Sequence, residues 1–325
     1  MAGGRIILAG GSGFLGRSLA EHLTRRGREV FVLTRAPKGK RGAARPVREV
    51  AWDGRTVGEW ARLLEGAEAV FNLAGRSVNC RYTRANRREI VESRVRSVGA
   101  LGEAILGCAR PPRVLVQAAS AAIYGDAGAR ICDESAPAGS GFSAETCVRW
   151  EAAFDALDLP STRKVLLRIG FVLGRGGGAL GTLARLTRAY LGGTVGGGRQ
   201  YVSWLHAEDL NRIFLWAVER GEAASGTFNA TGPAPVPNAE FMEALRRALG
   251  RPWSPPVPAG VVRLGAALML TEAELALTGR RCLPERLIED NFKFLYTSLD
   301  EALRDLFARE LMHDATHTPA NTTPR

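Results

Sequence analysis

Short apolar runs alternate with amphipathic segments at the start of the chain. Ile6–Ala9 has the length of a strand, and the segment Ser18–Arg26 carries Leu19 and Leu23 on one helical face. Glu29–Thr34 is a second β-rich run, so that strand, turn, helix and strand fit within about 30 residues. The pattern predicts one βαβ unit.

The same alternation continues to residue 173. It predicts strands at Arg48–Trp52, Glu68–Gly75, Arg113–Ala119 and Lys164–Ile169. It predicts helices at Thr56–Leu64, Thr83–Leu106 and Glu145–Leu157. Because strands that alternate with helices are typical of βαβ units, we expect an α/β fold with a Rossmann-like, doubly wound parallel sheet.

The pattern changes after residue 173. A first glycine cluster, Gly174–Gly178, and a second, Gly192–Gly198, flank a helix predicted at Ala179–Leu191. A strand, a helix and a strand follow, and the rest is mainly helical; these elements are predicted at Tyr201–Trp204, His206–Glu219, Gly226–Asn229, Ala239–Leu249, Gly260–Leu277 and Leu299–Leu306. We therefore predict a first domain over residues 1–173, with residues 200–230 packing onto it, and a smaller, mainly helical domain over residues 174–310. Residues 311–325 are polar and rich in Thr and Pro, which predicts a disordered tail.

The turn after the first strand has the chemistry that a dinucleotide requires. Gly10, Gly13 and Gly16 can supply the tight turn, the approach of the backbone to a pyrophosphate and the close packing of helix on strand. The following helix directs its free N–H groups at the phosphates. We therefore predict that this turn, with Ser12, Phe14 and Leu15, binds the cofactor.

The end of the second strand indicates which dinucleotide is bound. Thr34 and Arg35 stand where an NAD site would carry Asp or Glu for the ribose 2′-OH. A guanidinium group can bind a 2′-phosphate, whereas a carboxylate would repel it. The sequence predicts NADP(H), with a solvated surface charge as the alternative role of Arg35.

The fourth predicted strand ends in small residues. Ligands of dinucleotide-binding folds lie outside the carboxyl ends of the strands, at the switch point of the sheet. Leu73, Ala74 and Gly75 are therefore predicted to lie beside the adenine ribose and pyrophosphate.

Composition narrows the class of protein. The 325 residues are 46% hydrophobic and carry a net charge of +11, but the arginines lie among acidic residues without an aromatic RNA-binding motif. We therefore expect no nucleic-acid partner. Five scattered cysteines, without a C-x-x-C pair, argue against disulfides and a metal site, and no apolar run approaches membrane-spanning length. These features predict a cytoplasmic protein without a membrane partner, and they leave the oligomeric state open.

Further motifs occur in order along the chain. They are Asn72-Leu-Ala-Gly75, Ser93-Arg94-Val95, Tyr124-Gly125-Asp126, Arg168-x-Gly170-x-Val172-Leu173, the block Gly196–Asp209 containing Arg199-Gln-Tyr-Val-Ser-Trp-Leu-His206, Phe228-Asn229, Pro237-Asn238, Arg251-Pro252 and Pro284-x-Arg286-Leu287. Over residues 5–308 the chain resembles the atypical extended short-chain dehydrogenases/reductases called the epimerase family, sugar-nucleotide-epimerase-like proteins with a C-terminal domain of unknown function.

The resemblance implies NADP binding and several contact residues. By matching motifs, these are Thr34, Arg35, Leu73, Ala74, Glu89, Arg94 and Val172. Arg94 makes chemical sense as a contact to a phosphate or ribose, with a salt bridge on the helix surface as the alternative. Glu89 has the simpler alternative of pairing with a neighbouring arginine on the same helix.

The chain departs from the extended short-chain dehydrogenases in its catalytic residues. Their Tyr-x-x-x-Lys pair is missing, and alignment on Trp150-Glu151 puts Ser143 and Cys147 in its place. The loss of a general acid/base costs roughly 10²–10⁴-fold in rate. The usual mechanism of that superfamily is therefore not available.

Two hydroxyl residues after the fifth strand are the remaining catalytic candidates. Ser120 matches the active-site serine of Ser-x-x-x-Tyr-Gly, although close relatives carry it one place earlier, at Ala119 here. Tyr124 could replace the missing acid or could simply be a packed aromatic residue. Cys147 is expected to be buried packing.

Three further residues have a simple structural interpretation. Arg199 could hold a substrate phosphate, or its glycine cluster could be only a turn. His206 and Asp209 are expected to cap a helix.

Two functions remain open from the sequence. The leading one is an NADP(H)-dependent epimerase or oxidoreductase that acts on a small or nucleotide-linked substrate. The rival is a non-catalytic NADP(H)-binding redox sensor or regulatory protein, which the missing Tyr/Lys pair makes a serious alternative.

Overall fold

The computed structural model describes residues 4–37 and 47–316. Its strands are β1 (Arg5–Ala9), β2 (Glu29–Thr34), β3 (Val47–Ala51), β4 (Ala69–Asn72), β5 (Val114–Ser120), β6 (Ile131–Cys132), β7 (Arg163–Ile169), β8 (Phe171–Leu173), β9 (Tyr201–Val202), β10 (Trp204–His206), β11 (Gly226–Ala230), β12 (Val236–Pro237) and β13 (Arg281–Cys282). Its α-helices are α1 (Phe14–Arg25), α2 (Arg84–Leu106), α3 (Phe142–Asp155), α4 (Gly178–Arg188), α5 (Ala207–Glu219), α6 (Asn238–Ala248), α7 (Ala259–Leu268), α8 (Glu274–Leu277), α9 (Glu285–Glu289) and α10 (Leu299–Thr316). Short 3₁₀ helices cover Glu59–Leu64, Ala121–Tyr124 and Gly221–Ala223.

A seven-stranded sheet forms the centre of the described part of the chain. Its order is β11-β7-β5-β4-β1-β2-β3, and every neighbouring pair is parallel. The strand order reverses at β1, which pairs with β2 on one side and β4 on the other. This arrangement confirms the predicted Rossmann-like, doubly wound α/β fold, and it places the switch point at the carboxyl end of β1.

Alternation along the strands divides the core into two layers. Ile6 and Leu8 point into the layer beneath α1 and α5, whereas Ile7 and Ala9 point into the layer beneath α2 and α3. Helices cover both faces of this parallel sheet, so the side chains on both sides of an inner strand such as β1 are buried. Such a strand is therefore a continuous apolar run in the sequence. Four of the five residues of β1 are fully buried as a result.

The C-terminal half adds a third apolar cluster. Trp204 is fully buried there against Phe241 of α6 and Leu303 of α10. The strand β11, from the segment 200–230, forms one edge of the sheet, and α5 packs on α1. The C-terminal part is helical as predicted, whereas the division of the chain into domains at residue 173 stays a prediction.

Two predicted C-terminal elements differ from the structure. The helix predicted over Gly260–Leu277 is broken into α7 and α8, because Leu270 adopts a left-handed conformation (φ 54°) and the chain turns toward the start of α2. The segment predicted to be a disordered tail begins inside α10, which continues to Thr316. Residues 317–325 of that tail lie outside the described residues, as do residues 38–46.

Two classes of feature are absent from the described ranges. None of their helices combines the length and apolar character needed to cross a bilayer. They also contain no cluster of three His, Cys, Asp or Glu side chains that could hold a metal ion.

Candidate functional site

The turn after β1 lies against the turn after β4. Gly10 has a φ of +75°, and a Cβ built on it would stand 2.6 Å from the Cα of Ala74. The Gly10 amide donates to the carbonyl of Leu33 (2.9 Å), and the Leu73 amide donates to that of Ala9 (2.8 Å). Only a glycine allows this backbone conformation and this close approach together.

The other two predicted glycines occupy very different surroundings. A Cβ on Gly16 would stand 2.3 Å from the carbonyl oxygen of Gly11, so helix and turn are in backbone contact there. A Cβ on Gly13 would meet no atom within 4 Å. Gly13 is also the N-cap of α1 and offers no side-chain cap, and the first turn carries no acidic residue. The N-terminus of α1 therefore faces open space with its amide groups free for an anion.

The remaining residues of the turn connect it to neighbouring elements. Thr34 Oγ1 donates to Ser12 Oγ at 3.2 Å, which joins the end of β2 to the turn. The ring of Phe14 lies where a Cβ on Gly174, Gly177 or Gly178 would stand (2.6, 2.7 and 3.1 Å). The first glycine cluster of the C-terminal half therefore packs on Phe14. Leu15, Leu73 and Val172 share one edge of the core.

A buried polar network fixes the turn after β4. Asn72 is fully buried, and its Oδ1 accepts the amide of Ala74 (3.0 Å) while its Nδ2 donates to Gln117 Oε1 (2.8 Å) and Ser97 Oγ (3.3 Å). Because an unpaired buried amide is costly, the three side chains hold one another in one arrangement. The sequence analysis noted Asn72 only as part of a motif, and its role follows from these contacts.

Arg35 lines a cavity at the carboxyl ends of β2 and β3. The cavity has a volume of about 740 Å³, and Arg35 is exposed at it with no carboxylate partner in the described ranges. Its wall contains Trp52 and Trp60, whose rings lie 5.1 Å apart, and Asp53. Asp53 accepts from the amides of Arg55 and Thr56 at 2.8 and 2.9 Å. These hydrogen bonds lower the pKa of Asp53, the bond to Thr56 most.

Residues in the wall of this cavity were not among the predicted site residues. Trp52, Asp53 and Trp60 follow β3 directly or lie in the next 3₁₀ helix. The rule that ligands lie at the carboxyl ends of parallel strands could have identified them once β3 was placed beside β2.

Arg94 lies half-buried beside Gly75. It donates to the carbonyls of Arg76 (3.0 Å) and Ile90 (2.9 Å), and its guanidinium stacks 5.0 Å from the ring of Trp150. No carboxylate in the described residues pairs with it, so the salt bridge considered from the sequence is not formed. Burial lowers the pKa of Arg94, and Cys147 is among its neighbours.

Glu89 pairs with an arginine, but not with one on its own helix as the simpler alternative expects. Its carboxylate pairs with Arg55 at 2.5 Å, on the partly exposed side of α2. The Arg55 backbone belongs to the turn that Asp53 caps, so the ion pair lies next to the cavity wall.

Ser120 ends β5 and starts the following 3₁₀ helix. Its Oγ accepts the amide of Ala122 at 3.2 Å, as an N-cap does. A hydroxyl carries one donor and two acceptor positions, so this contact leaves the Ser120 O–H free to donate. The residue is partly exposed.

Tyr124 lies in a buried position that agrees with the alternative of a packed aromatic residue, and its catalytic role stays a prediction. The side chain is 1% exposed, and its hydroxyl lies 2.7 Å from Asn229 Oδ1 and 2.8 Å from the carbonyl of Asp133. Arg168 Nη1 donates to the same hydroxyl at 2.9 Å. Burial, the largest cause, raises the pKa of Tyr124 to about 12. The one O–H hydrogen can be donated to only one of the two oxygens of Asn229 and Asp133, and the hydroxyl oxygen accepts from Arg168, so the hydroxyl both donates and accepts within the protein.

The positions aligned with the missing Tyr/Lys pair lie on α3. Ser143 is in its first turn, and Cys147 is 4% exposed within an apolar cluster. Burial raises the pKa of Cys147 to about 12, so the thiol stays protonated at neutral pH. The expected packing role of Cys147 agrees with this environment.

His206 caps the start of α5, whereas the carboxylate of Asp209, expected from the sequence to cap it as well, binds the backbone of a distant segment. His206 Nδ1 accepts the amide of Glu208 (3.1 Å), and the two carboxylate oxygens of Asp209 accept the amides of Leu295 (2.8 Å) and Tyr296 (3.0 Å). The expected capping role of His206 agrees with this geometry. Arg199 is exposed in the second glycine cluster and has no ion-pair partner in the described residues.

Comparison with known proteins gives consistent matches. The model of the NAD dependent epimerase/dehydratase family matches residues 6–230, and that of a domain of unknown function, DUF1731, matches residues 257–306. Epimerase family protein SDR39U1 of Bos taurus is 34% identical over 309 residues, which cover 94% of this chain and 100% of the relative. Epimerase family protein YfhF of Bacillus subtilis is 32% identical, with 93% and 98% covered.

Solved structures agree with these sequence matches. The crystal structure of human epimerase family protein SDR39U1 (isoform 2) with NADPH has a TM-score of 0.81 and 32% identity, and 94% of this chain and 99% of that chain are covered. A nucleoside-diphosphate sugar epimerase from Corynebacterium glutamicum has a TM-score of 0.74 and 27% identity, with 96% and 62% covered. The resemblance found from the sequence motifs is confirmed: the chain belongs to the NAD dependent epimerase/dehydratase family.

Proposed function

We propose that the protein binds NADP(H) across the switch point and acts as an oxidoreductase or epimerase on a small or nucleotide-linked substrate. The observation that carries the proposal is the open space at Gly13, above an uncapped helix N-terminus and beside the turn after β4. The human relative solved with NADPH and the nucleoside-diphosphate sugar epimerase with the same fold support the cofactor and the substrate class.

Each part of the cofactor has a group of residues to hold it. The pyrophosphate is proposed to contact the turn formed by Gly10, Ser12, Gly13, Phe14, Leu15 and Gly16. The 2′-phosphate is proposed to bind Thr34 and Arg35, and the ribose and pyrophosphate to pass Leu73, Ala74 and Gly75. Arg94 and Val172 are proposed to contact other parts of the cofactor. Glu89 is proposed to contribute to the cofactor site through its ion pair with Arg55. Bound in this way, the cofactor supplies or accepts a hydride.

Ser120 is the proposed proton-donating group. Its hydroxyl hydrogen is free because the contact with Ala122 uses only an acceptor position of Oγ. A serine without an assisting base is a weak acid and a weak base, so we expect slow or narrowly specific turnover.

A turnover assay tests the catalytic part of the proposal. Oxidation of NADPH, or reduction of NADP⁺, is followed at the nicotinamide absorbance with carbonyl compounds and nucleotide sugars. We expect Ser120→Ala to lower kcat at least tenfold with unchanged cofactor affinity, whereas Ser225→Ala, at the opposite edge of the sheet, leaves both unchanged. Full activity of Ser120→Ala would assign the proton transfer to another group.

Cofactor selectivity is tested separately at Arg35. Arg35→Asp turns an attraction for the 2′-phosphate into a repulsion, so we expect at least a tenfold loss of NADPH affinity and a narrowed preference over NADH. Arg113→Asp makes the same charge change at the amino end of β5 and should leave the ratio of the two affinities unchanged. Equal affinities of the unmutated protein for NADPH and NADH would contradict the proposal.

A second candidate function is supported by the absence of the usual acid. Tyr124 is buried with its hydroxyl bonded within the protein, and the alignment on Trp150-Glu151 puts Cys147 where the extended short-chain dehydrogenases carry lysine. These two observations favour a non-catalytic NADP(H) sensor or regulatory protein. Tight cofactor binding without turnover of any substrate tested would select this function.

A further inference from the structure

The two-residue strands β6 and β13 bring two buried cysteines together. Cys132 of β6 and Cys282 of β13 are directly opposite in the parallel register. Both are 0% exposed, and both are free thiols. They lie in one apolar cluster with Cys147 and Tyr124. The chain positions of the two strands are far apart, so this pair is visible only in the folded protein.

Each of the two thiols shifts the ionisation of the other. A hydrogen bond with Cys282 is the largest cause that lowers the pKa of Cys132 to about 7, and the charges of Arg130 and Arg280 act in the same direction. The same bond, together with burial, raises the pKa of Cys282. One sulfur of the pair is therefore suited to attack as a thiolate, and the other stays a thiol until its partner has reacted.

The backbone spacing suits a covalent bridge. Neighbouring strands lie about 4.7–4.9 Å apart, within the roughly 4.4–6.8 Å range of Cα separations in disulfides. In a parallel pair, directly opposite side chains also point to the same side of the ribbon. Two residues per strand leave few hydrogen bonds to resist the small approach that the sulfur atoms need.

We propose that Cys132 and Cys282 form a redox-active pair that closes a disulfide when the protein meets an oxidised low-molecular-weight disulfide such as glutathione disulfide. The Cys132 thiolate attacks one sulfur of the oxidant and releases one thiolate, which leaves a mixed disulfide. The Cys282 thiol then loses its proton and attacks the Cys132 sulfur, which releases the second thiol. Two protein thiols are oxidised and one disulfide is reduced to two thiols.

Closing the bridge fastens the C-terminal part to the nucleotide-binding half. The carbonyls of Cys132 and Leu283 already accept from Asn229 Nδ2 at 3.1 and 2.9 Å, and Asn229 Oδ1 contacts the hydroxyl of Tyr124. The bridge would make this junction covalent beside the 3₁₀ helix that Ser120 caps. Because both thiols are buried, the reaction proceeds when the short β6–β13 ribbon opens locally.

Thiol counting and peptide mapping test the proposal on the full-length protein without a substrate. The protein is incubated in glutathione buffers from fully reduced to fully oxidised, alkylated, digested without reduction and analysed by mass spectrometry. We expect a peptide pair joined through Cys132 and Cys282, and a higher melting temperature of the oxidised protein. Cys132→Ser and Cys282→Ser should each abolish the joined pair, and Cys108→Ser should retain it.

Repeating the oxidation in urea, below the unfolding transition, distinguishes a bridge that forms slowly because the buried thiols are poorly accessible from a bridge that does not form at all. The incubation is carried out at the highest urea concentration at which circular dichroism shows the native fold. The proposal is overturned if no Cys132–Cys282 link forms even then, or if the recovered link joins Cys147 to either cysteine. Mixed disulfides with glutathione on the half-exposed Cys80 and Cys108, without the internal link, would overturn it equally.

Discussion

At the scale of single residues, Gly13 and Gly16 meet different requirements. Gly16 is required by the fold, because any side chain would run into the backbone of Gly11. Gly13 has φ −74° and ψ −178°, a conformation open to every residue type, and free space around it. The protein itself gives no reason for a glycine at position 13, whereas a pyrophosphate lying against the backbone does.

The substitution Gly13→Val distinguishes the requirement of the fold from the requirement of cofactor binding at this position. We expect the variant to fold with a loss of at most about 1 kcal/mol, because a Cβ at this position meets no protein atom but valine is a poorer N-cap than glycine. NADPH affinity should fall at least tenfold, about 1.4 kcal/mol, because the isopropyl group fills the space of the pyrophosphate. Isothermal titration of both proteins with NADPH measures the effect.

The control for this prediction is Gly260→Val. Gly260 is exposed in the first turn of α7 and also has free space around its Cα. Its substitution should leave NADPH affinity unchanged. Unaltered affinity of Gly13→Val would show that the dinucleotide lies elsewhere.

At the scale of elements, one arginine joins α3 to β7 and to the 3₁₀ helix after β5. Arg168 Nη2 contacts Glu151 Oε2 at 2.8 Å, and Nη1 donates to Tyr124. Glu151 is only 7% exposed, and burial raises the pKa of its carboxyl group. The carboxylate is thus kept charged by Arg168, and the two elements depend on each other.

Arg168→Met should therefore destabilise the protein strongly. It leaves the Glu151 carboxylate buried without its partner, which costs about 3–5 kcal/mol. Urea unfolding followed by circular dichroism measures the loss. The double variant Arg168→Met/Glu151→Leu removes both charges and should regain most of the free energy of unfolding that the single variant loses. A single variant that loses less than about 1 kcal/mol would contradict this account.

The start of α5 gives stability a pH dependence. His206 caps the helix as a neutral ring, stacked 3.9 Å from Tyr296, and burial is the largest cause that lowers its pKa. A histidine whose pKa is lowered in the folded state contributes its full stabilisation at pH values above its pKa in the unfolded chain, which is about 6.5. That stability is lost as the pH falls below 6.5, because the unfolded chain gains the proton first.

We expect the free energy of unfolding of the protein to fall when the pH is lowered from 7.5 to 5.5. The free energy of unfolding of the His206→Asn variant should fall less over the same range. Asparagine retains an acceptor for the Glu208 amide but does not titrate. Urea unfolding at both pH values measures the difference. His22, whose pKa is also lowered by burial, remains in both proteins, so its contribution cancels. An equal fall in both proteins would contradict the role of His206.

At the scale of the whole molecule, unpaired positive charge gathers at the carboxyl edge of the sheet. Arg35 and Arg94 face this edge without carboxylate partners among the described residues, and the chain as a whole carries +11. The helix α1 adds the positive end of its dipole at the same place. This distribution attracts an anionic cofactor to the one edge where the backbone has room for it.

NADPH should consequently stabilise the folded protein. At a free concentration of 100 times Kd, one bound ligand adds about 2.7 kcal/mol to the free energy of unfolding. Differential scanning calorimetry should show a rise in Tm of several degrees with NADPH and a smaller rise with NADH at the same concentration. An unchanged Tm with saturating NADPH would contradict binding to the native state.

The sequence by itself determined the elements whose causes are local. The glycine spacing, the apolar runs and the small residues after β4 each need only neighbours in the chain, so the βαβ unit and the turn were predictable. The predicted helix boundaries differ from the observed ones by up to a few residues. The reason is that the first residue of a helix is set by particular hydrogen bonds, such as those that the side chains of Thr83 and His206 accept as caps.

The tertiary structure decided what depends on residues distant in the chain. Tyr124 looks like a catalytic tyrosine in its motif, but Asn229, 105 positions away, binds its hydroxyl. The cavity at Arg35 and the pairing of Cys132 with Cys282 arise only when separate strands become neighbours. Hydrogen bonding and burial act at a few ångströms in space, and a sequence pattern reports such proximity only within one helix or strand.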